Sequence, residues 1–131
     1  DLASTIDIST TILDRAGIAP FNGMKGKSLI PSIQGEVFTR EHLLIEYNDG
    51  GARLGFETPA RVRTIITSSY KFNIYLDQDW GELYDLTIDP SETNNLWDDL
   101  NYSGIKAKLS LSMNQELIGL MDESPKSKRP A

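Results

Sequence analysis

The sequence predicts an α+β fold, a small antiparallel sheet of about four strands packed by a C-terminal amphipathic helix, with one helix and a long loop ahead of them. Three observations carry this. Residues 60–67 and 70–76 are two β-prone runs separated only by Ser68-Ser69, and a third run follows at 82–86 after the polar turn Asp77-Gln78-Asp79-Trp80-Gly81. Further on, Ile105, Leu109, Met113, Leu117 and Met121 recur every four residues, which lays one apolar stripe along a helix. The chain has 131 residues, 39% apolar and 24% charged, which gives room for one modest core inside the globular range.

Taken in order, Ile8, Ile12, Leu13 and Ala16 form an apolar face that predicts a helix over 9–16, closed by Gly17. Residues 18–35 hold Pro20, Gly23, Gly26, Pro31 and Gly35 and read as a loop over a surface, with at most a short turn at 28–32. Residues 43–47 are apolar enough for a buried strand, ended by Asn48-Asp49-Gly50-Gly51. In the meander, Phe72, Ile74 and Leu76 alternate with Lys71, Asn73 and Tyr75, as a sheet with one covered face requires. Ser91 is a plausible N-cap for a single helical turn after Asp89-Pro90, and Asn101 is the expected N-cap of the C-terminal helix. The last residues, 123–131, lack Leu, Ile, Val and aromatic side chains and read as a tail that is mobile or docked on a neighbouring chain.

Composition removes several function classes. Nineteen acidic against thirteen basic residues give a net charge of −6, which argues against a nucleic-acid partner. The absence of Cys excludes disulfide scaffolds, thiolate zinc sites and cysteine nucleophiles, and one His leaves no histidine-clustered metal site. Apolar runs are too short for a membrane span, and the N-terminus lacks the basic and apolar regions of a signal peptide.

Asp7-Ile8-Ser9-Thr10-Thr11-Ile12-Leu13-Asp14-Arg15-Ala16-Gly17-Ile18 is followed by Met24-Lys25-Gly26-Lys27-Ser28-Leu29. Val62-Arg63-Thr64, Tyr70-Lys71-Phe72 and Gly81-Glu82-Leu83-Tyr84-Asp85-Leu86 come next, and then Asp89-Pro90, Glu92 and Asn95-Leu96. This series resembles the C-terminal third of sulfatases of the arylsulfatase type, in the alkaline phosphatase-like superfamily, over about residues 7–109. It departs from the family at Thr10, where Pro is usual at the helix start, and at Phe72, where Leu is usual; both are structural positions.

The resemblance implies that residues 1–35 are the end of a large α/β domain, 36–122 the small C-terminal subdomain and 123–131 a tail. It implies sulfate-ester hydrolysis by a formylglycine, made from Cys or Ser in a Cys/Ser-x-Pro-x-Arg motif beside calcium, in an N-terminal domain outside this chain. Here there is no Cys, and no Ser has Pro two residues later, so the fragment alone is expected to be inactive, with no catalytic residue, metal or cofactor of its own. The implied partners are its own catalytic domain and, in the full enzyme, a sulfate ester. Ile8, Ile12 and Leu13 would face the absent domain, and their exposure favours a homo-dimer of the fragment. Phosphonate and phosphate monoester hydrolases of the same superfamily share this pattern, and a free-standing interaction module is the reading from a different class.

Single residues are weighed on that background. His42, alone before a strand, reads as structural or solvated. Glu46 lies inside an apolar run, so a salt bridge to Arg61 or Arg63 is the plain reading and substrate contact the sharper one. Glu46, Asn48, Asp49 and Arg53 are the candidates for lining the substrate cleft, because loops of the small subdomain do so in the family. Arg61, Arg63 and Lys71 have the chemistry of an anion clamp, against which pairing with Glu82 or Asp85 is expected. Asp77, Asp79, Glu82, Asp85 and Asp89 lack the order of a calcium loop. Trp80, Tyr84 and Trp97 are expected to pack under the C-terminal helix rather than to hold sugar rings.

Overall fold

The structure is a computed structural model that describes residues 2–36, 40–52 and 55–120. Its elements are α1 (Ile6–Arg15), α2 (Ile30–Ile33), β1 (His42–Asn48), β2 (Arg61–Thr67), β3 (Tyr70–Tyr75), β4 (Gly81–Asp85) and α3 (Ser103–Gly119), the last preceded by a 3-10 turn at Leu100–Tyr102. They form the expected four-stranded antiparallel sheet, in the order β1-β2-β3-β4, with a C-terminal helix and one further long helix. The chain divides into two compact units: residues 3–36 with 117–120, and residues 40–116 with Leu2.

The larger unit is built on one cross-strand row. Leu44 pairs with Ile65, Ile65 with Phe72 and Phe72 with Leu83, so the four side chains share a face. Ile65, Phe72 and Leu83 are almost wholly buried, and Leu96, Leu109 and Met113 complete the core. Trp97 stacks on Phe72 at 5.6 Å between ring centres. From α3, Lys106 lies 4.4 Å over the Trp97 ring and donates to the Trp97 carbonyl at 2.8 Å, a cation–π contact and a hydrogen bond from one ammonium. His42 Nε2 and Glu116 Oε1, 2.8 Å apart, tie β1 to the same helix, which gives the lone histidine a structural role.

The sulfatase-like motif in β4 and beyond now has physical reasons. Asn95 accepts from the Leu83 and Trp97 amides through Oδ1 and donates to the Gly81 carbonyl through Nδ2, each at 3.0 Å. The Leu96 amide donates to the Leu83 carbonyl at 2.8 Å, so the Asn95-Leu96 pair satisfies backbone groups on the outer edge of the sheet. Gly81 is required where it stands, because a Cβ there would collide with the Trp97 ring and the Asn73 carbonyl. The loop after β4 is organised by Asp89, whose carboxylate accepts from the Thr93 and Asn94 amides at 2.8 Å each. Those bonds, the Asn94 amide foremost, hold its carboxyl below the ordinary value.

Several expectations are corrected here. No helical turn follows Asp89-Pro90, and Asp89 rather than Ser91 accepts the loop amides. The C-terminal helix is led in by Asp99, which accepts from the Asn101 amide at 2.9 Å; Asn101 is not the cap. The strand at 43–47 is an edge strand, with Ile45 46% and Tyr47 51% exposed, because no strand pairs beyond it among the described residues. The Ser68-Ser69 turn is held by Thr67 Oγ1, which accepts from the Tyr70 amide at 2.8 Å and the Ser69 amide at 3.2 Å. Met121 and the tail at 123–131 lie outside the described residues.

In the smaller unit, α1 begins three residues earlier than expected. Asp7, fully buried, accepts from the Ser4 amide at 2.7 Å and so closes the first turn with a carboxylate at the helix N-terminus. Its second oxygen accepts from the Lys27 amide at 2.8 Å, and Thr11 Oγ1 accepts from the Leu29 amide at 2.9 Å, so α1 holds the loop by its polar side chains. Gly26 lies so close over the Ile6 carbonyl that no Cβ fits. The helix ends as expected at Gly17, with φ +69°, the Gly17 amide on the Asp14 carbonyl and the Ile18 amide on the Leu13 carbonyl. The buried face is Asp7 and Thr10, while Ile6, Ile8 and Ile12 are more than half exposed. Thr10 therefore sits in the second turn rather than at the helix start.

Candidate functional site

The strand ends away from the hairpin turn bring the polar candidates together. Glu46 faces Arg63 and Asn48 faces Arg61 across the β1–β2 ladder. Arg63 Nε lies 2.9 Å from Glu46 Oε1, and Arg63 Nη1 donates to Asn48 Oδ1 at 3.1 Å and to its neighbour's carbonyl, that of Val62, at 2.9 Å. The plain reading of Glu46 as an Arg63 partner thus describes its position. The pair is part-exposed, so it contributes only about 0.2–1 kcal/mol, but the three bonds fix the guanidinium. Asp49 donates its amide to the Ala60 carbonyl at 2.8 Å and stands in the turn after β1; Arg53 lies outside the described residues.

The arginines do not pair with Glu82 or Asp85. Glu82 is taken by Asn73 Nδ2 and by the Tyr75 hydroxyl at 2.9 Å, and Asp85 by the Thr87 amide at 3.0 Å and the Thr87 hydroxyl at 2.5 Å. Lys71 pairs with Glu92 at 2.5 Å, so it is no part of an anion clamp. Arg61 is exposed and has no ion-pair partner among the described residues. It borders a cavity of about 380 Å³ whose lining is Arg61, Arg63, Ile74, Tyr75, Leu76 and Asp77. Two arginines in one cavity wall form the feature that the expected pairing with Glu82 or Asp85 left out. The signal that carries it is the spacing of two, which puts Arg61 and Arg63 on one strand face.

A second cavity, of about 570 Å³, adjoins the β3–β4 turn and shares Asp77 with the first; Phe56, Glu57, Gln78 and Trp80 are in its wall. Asp77 adopts φ +59°, the left-handed conformation that Asp tolerates better than most side chains. Trp80 is 42% exposed, lies 4.6 Å from the Tyr75 ring and 6.0 Å from Phe56, and donates its indole N–H to Gln78 Oε1 at 3.1 Å. Of the three aromatic residues expected under the C-terminal helix, only Trp97 is there. Trp80 packs with Tyr75 and Phe56, and Tyr84, alternating with the buried Leu83 and Asp85, points to the other face. Burial, then the bond to Glu82, raises the Tyr75 hydroxyl far above its ordinary value, so it stays a neutral donor.

The described residues do not fit the family's calcium, nor the sequence its formylglycine. The sequence offers no Cys and no Ser-x-Pro, and among the described residues no three acidic or imidazole groups converge to hold a metal. Nor is any described helix long and apolar enough to cross a membrane.

Comparison with known proteins places this architecture. A family described as "N-sulphoglucosamine sulphohydrolase, C-terminal" matches residues 1–118. The chain belongs to this family of sulfatase C-terminal regions. It is 35% identical over 104 residues to a Delta 4,5-hexuronate-2-O-sulfatase of Bacteroides thetaiotaomicron, a match covering 79% of this chain and 21% of that protein. Among solved structures it is similar to a 2-O GAG sulfatase, with TM-score 0.75 and 29% identity over 93% of this chain and 26% of the other. A phosphonate monoester hydrolase from Silicibacter pomeroyi shares the fold, with TM-score 0.77 at 23% identity over 93% of this chain and 26% of that one. The chain thus spans about a fifth to a quarter of the length of these relatives.

Proposed function

We propose that this chain is the C-terminal region of a sulfuric ester hydrolase whose nucleophile and calcium site belong to a catalytic domain outside these residues. The single observation that carries the reading is the family match over residues 1–118. The geometry supports it, because the motif residues Asp7, Gly26, Gly81 and Asn95 each have a backbone-holding or close-packing role. Residues 1–35 are then the end of the large domain, 36–122 the supporting subdomain and 123–131 a tail. On this reading Glu46, Asn48 and Asp49 are candidates for lining the substrate cleft, the first two by holding Arg63, and Arg53 remains a candidate outside the described residues. The 2-O-sulfatase names of its relatives favour a sulfated sugar as substrate. The likeness to the phosphonate monoester hydrolase concerns the fold alone.

The test is the coding sequence upstream of Asp1. The expected result is a Cys/Ser-x-Pro-x-Arg motif and an Asp-Asp pair near its start. Their absence overturns the reading and leaves a free-standing interaction module. Expressed by itself, the chain should self-associate, because Ile6, Ile8 and Ile12 stand open on α1. Sedimentation at rising concentration reads this, and Ile8→Ser with Ile12→Ser should return a monomer.

A further inference from the structure

The two halves of the sheet carry their apolar side chains on opposite faces. In β3 and β4, Phe72 and Leu83 share the face that meets Leu96, Leu109 and Met113, while Lys71, Asn73 and Glu82 alternate to the other side. In β1 and β2 the order is inverted. Their core-face members are polar apart from Leu44 and Ile65: His42, Glu46 and Asn48 on one strand, Arg61, Arg63 and Thr67 on the other. The reverse face sets Leu43, Ile45 and Tyr47 opposite Ile66, Thr64 and Val62, all apolar except the Thr64 hydroxyl and none of them charged. Helix α3 lies on the core side, where Glu116 meets His42, so it cannot cover this strip, and Ile45 and Tyr47 are about half exposed. An antiparallel sheet with one face in water alternates apolar-in and polar-out, whereas strands that keep apolar residues on the outward side as well belong to a sheet covered on both faces.

We propose that the reverse face of β1 and β2 seats the catalytic domain of the same polypeptide, which lays an apolar, uncharged segment across Leu43, Ile45, Tyr47, Val62 and Ile66. Three observations choose this occupant over a second copy of the chain. Most of the polypeptide of each relative lies outside the part matched here, so there is ample chain to supply the cover. Permanent interfaces are the more apolar class, and this strip carries no charge. Electrostatic steering, which speeds the encounter of separate chains, has nothing to act on at such a patch, whereas a covalently joined domain is already present at high effective concentration. The identity of the partner rests on the sulfatase reading; the face rests on the strand register.

The chain has no Cys, so single cysteines report on this face directly. Ile45→Cys, Tyr47→Cys and, as a control on the exposed side of α3, Leu111→Cys are made in the 131-residue chain and in the full-length protein, and peptide mass spectrometry follows alkylation site by site. In the isolated chain the three should react alike at every protein concentration. In the full-length protein Ile45→Cys and Tyr47→Cys should slow by about tenfold or more relative to Leu111→Cys, because a covered thiol reacts only through local opening. Hydroxyl-radical footprinting of Tyr47 in the unsubstituted proteins gives the same reading without a mutation: strong oxidation in the isolated chain and protection in the full-length one. Equal reactivity of positions 45 and 111 in the full-length protein, with Tyr47 oxidised as in the isolated chain, overturns the proposal. Slowing at position 45 in the isolated chain that grows with concentration also overturns it, by giving the face to a second copy. If the nucleophile motif is present upstream and Tyr47 is unprotected, this inference alone fails; an upstream sequence without the motif removes the partner together with the family reading.

Discussion

The two compact units solve the same folding problem with opposite chemistry. Residues 40–116 bury a hydrophobic row, Ile65, Phe72 and Leu83, under Leu96, Leu109 and Met113. The unit around α1 buries Asp7 and Thr10 instead and leaves Ile6, Ile8, Ile12, Phe21 and Ile33 more than half exposed. One region thus carries its own driving force, since burial of apolar area is the dominant favourable term in folding. The other is held by a carboxylate on two backbone amides and a threonine hydroxyl on a third, bonds that fix geometry but individually add little net stability. The contrast is thus between a unit closed around an apolar core and a unit whose buried face is polar.

The largest test of the contrast is Leu109→Ala. Leu109 is 5% exposed in the core, so its truncation leaves a cavity and should cost about 2–5 kcal/mol, read as a large fall in melting temperature of the sheet unit. A fall comparable to that of an exposed alanine substitution would break the packing described. Asp7→Asn should act next, by about 1–3 kcal/mol, since it removes the charge that serves the Ser4 and Lys27 amides. Its signature is local: hydrogen exchange at Lys27 and Leu29 should quicken while the β2 and β3 amides keep their protection. Uniform loss across both regions would show that the two are one cooperative unit.

The smallest effect is in alkali. The Tyr75 hydroxyl is raised above its ordinary value of 10.0, so the native state keeps a proton that the unfolded chain gives up. The contribution of Tyr75 should be level below about pH 10 and fall as pH rises above it, and Tyr75→Phe should lessen the alkaline slope. The same slope in both proteins would remove Tyr75 as its source.

Much of the sheet unit was legible in the sequence because a period of two and a period of four are properties of single elements. Ile65 and Phe72 sit where alternation puts them, and Leu109 and Met113 where the stripe puts them. Capping was less legible, since Asp89 and Asp99 are chosen by loop geometry rather than by residue preference alone. The site was least legible. Whether Trp80 joins Trp97 under the helix depends on which face the β3–β4 turn delivers it to, and the left-handed Asp77 is decided only by the folded chain. Likewise, both arginines share one strand face, but register sets Glu46 opposite Arg63 and the neutral Asn48 opposite Arg61, which has no ion-pair partner among the described residues.

On the proposed reading, this chain contributes support while the chemistry is supplied from outside it. Hydrolysis of an activated aryl sulfate by the pure chain, with and without calcium, tests this most directly. With no Cys or Ser-x-Pro in the sequence and no cluster of three acidic or imidazole groups among the described residues, the rate should stay at the uncatalysed background in both conditions. Turnover above background that co-purifies with the chain would contradict the account.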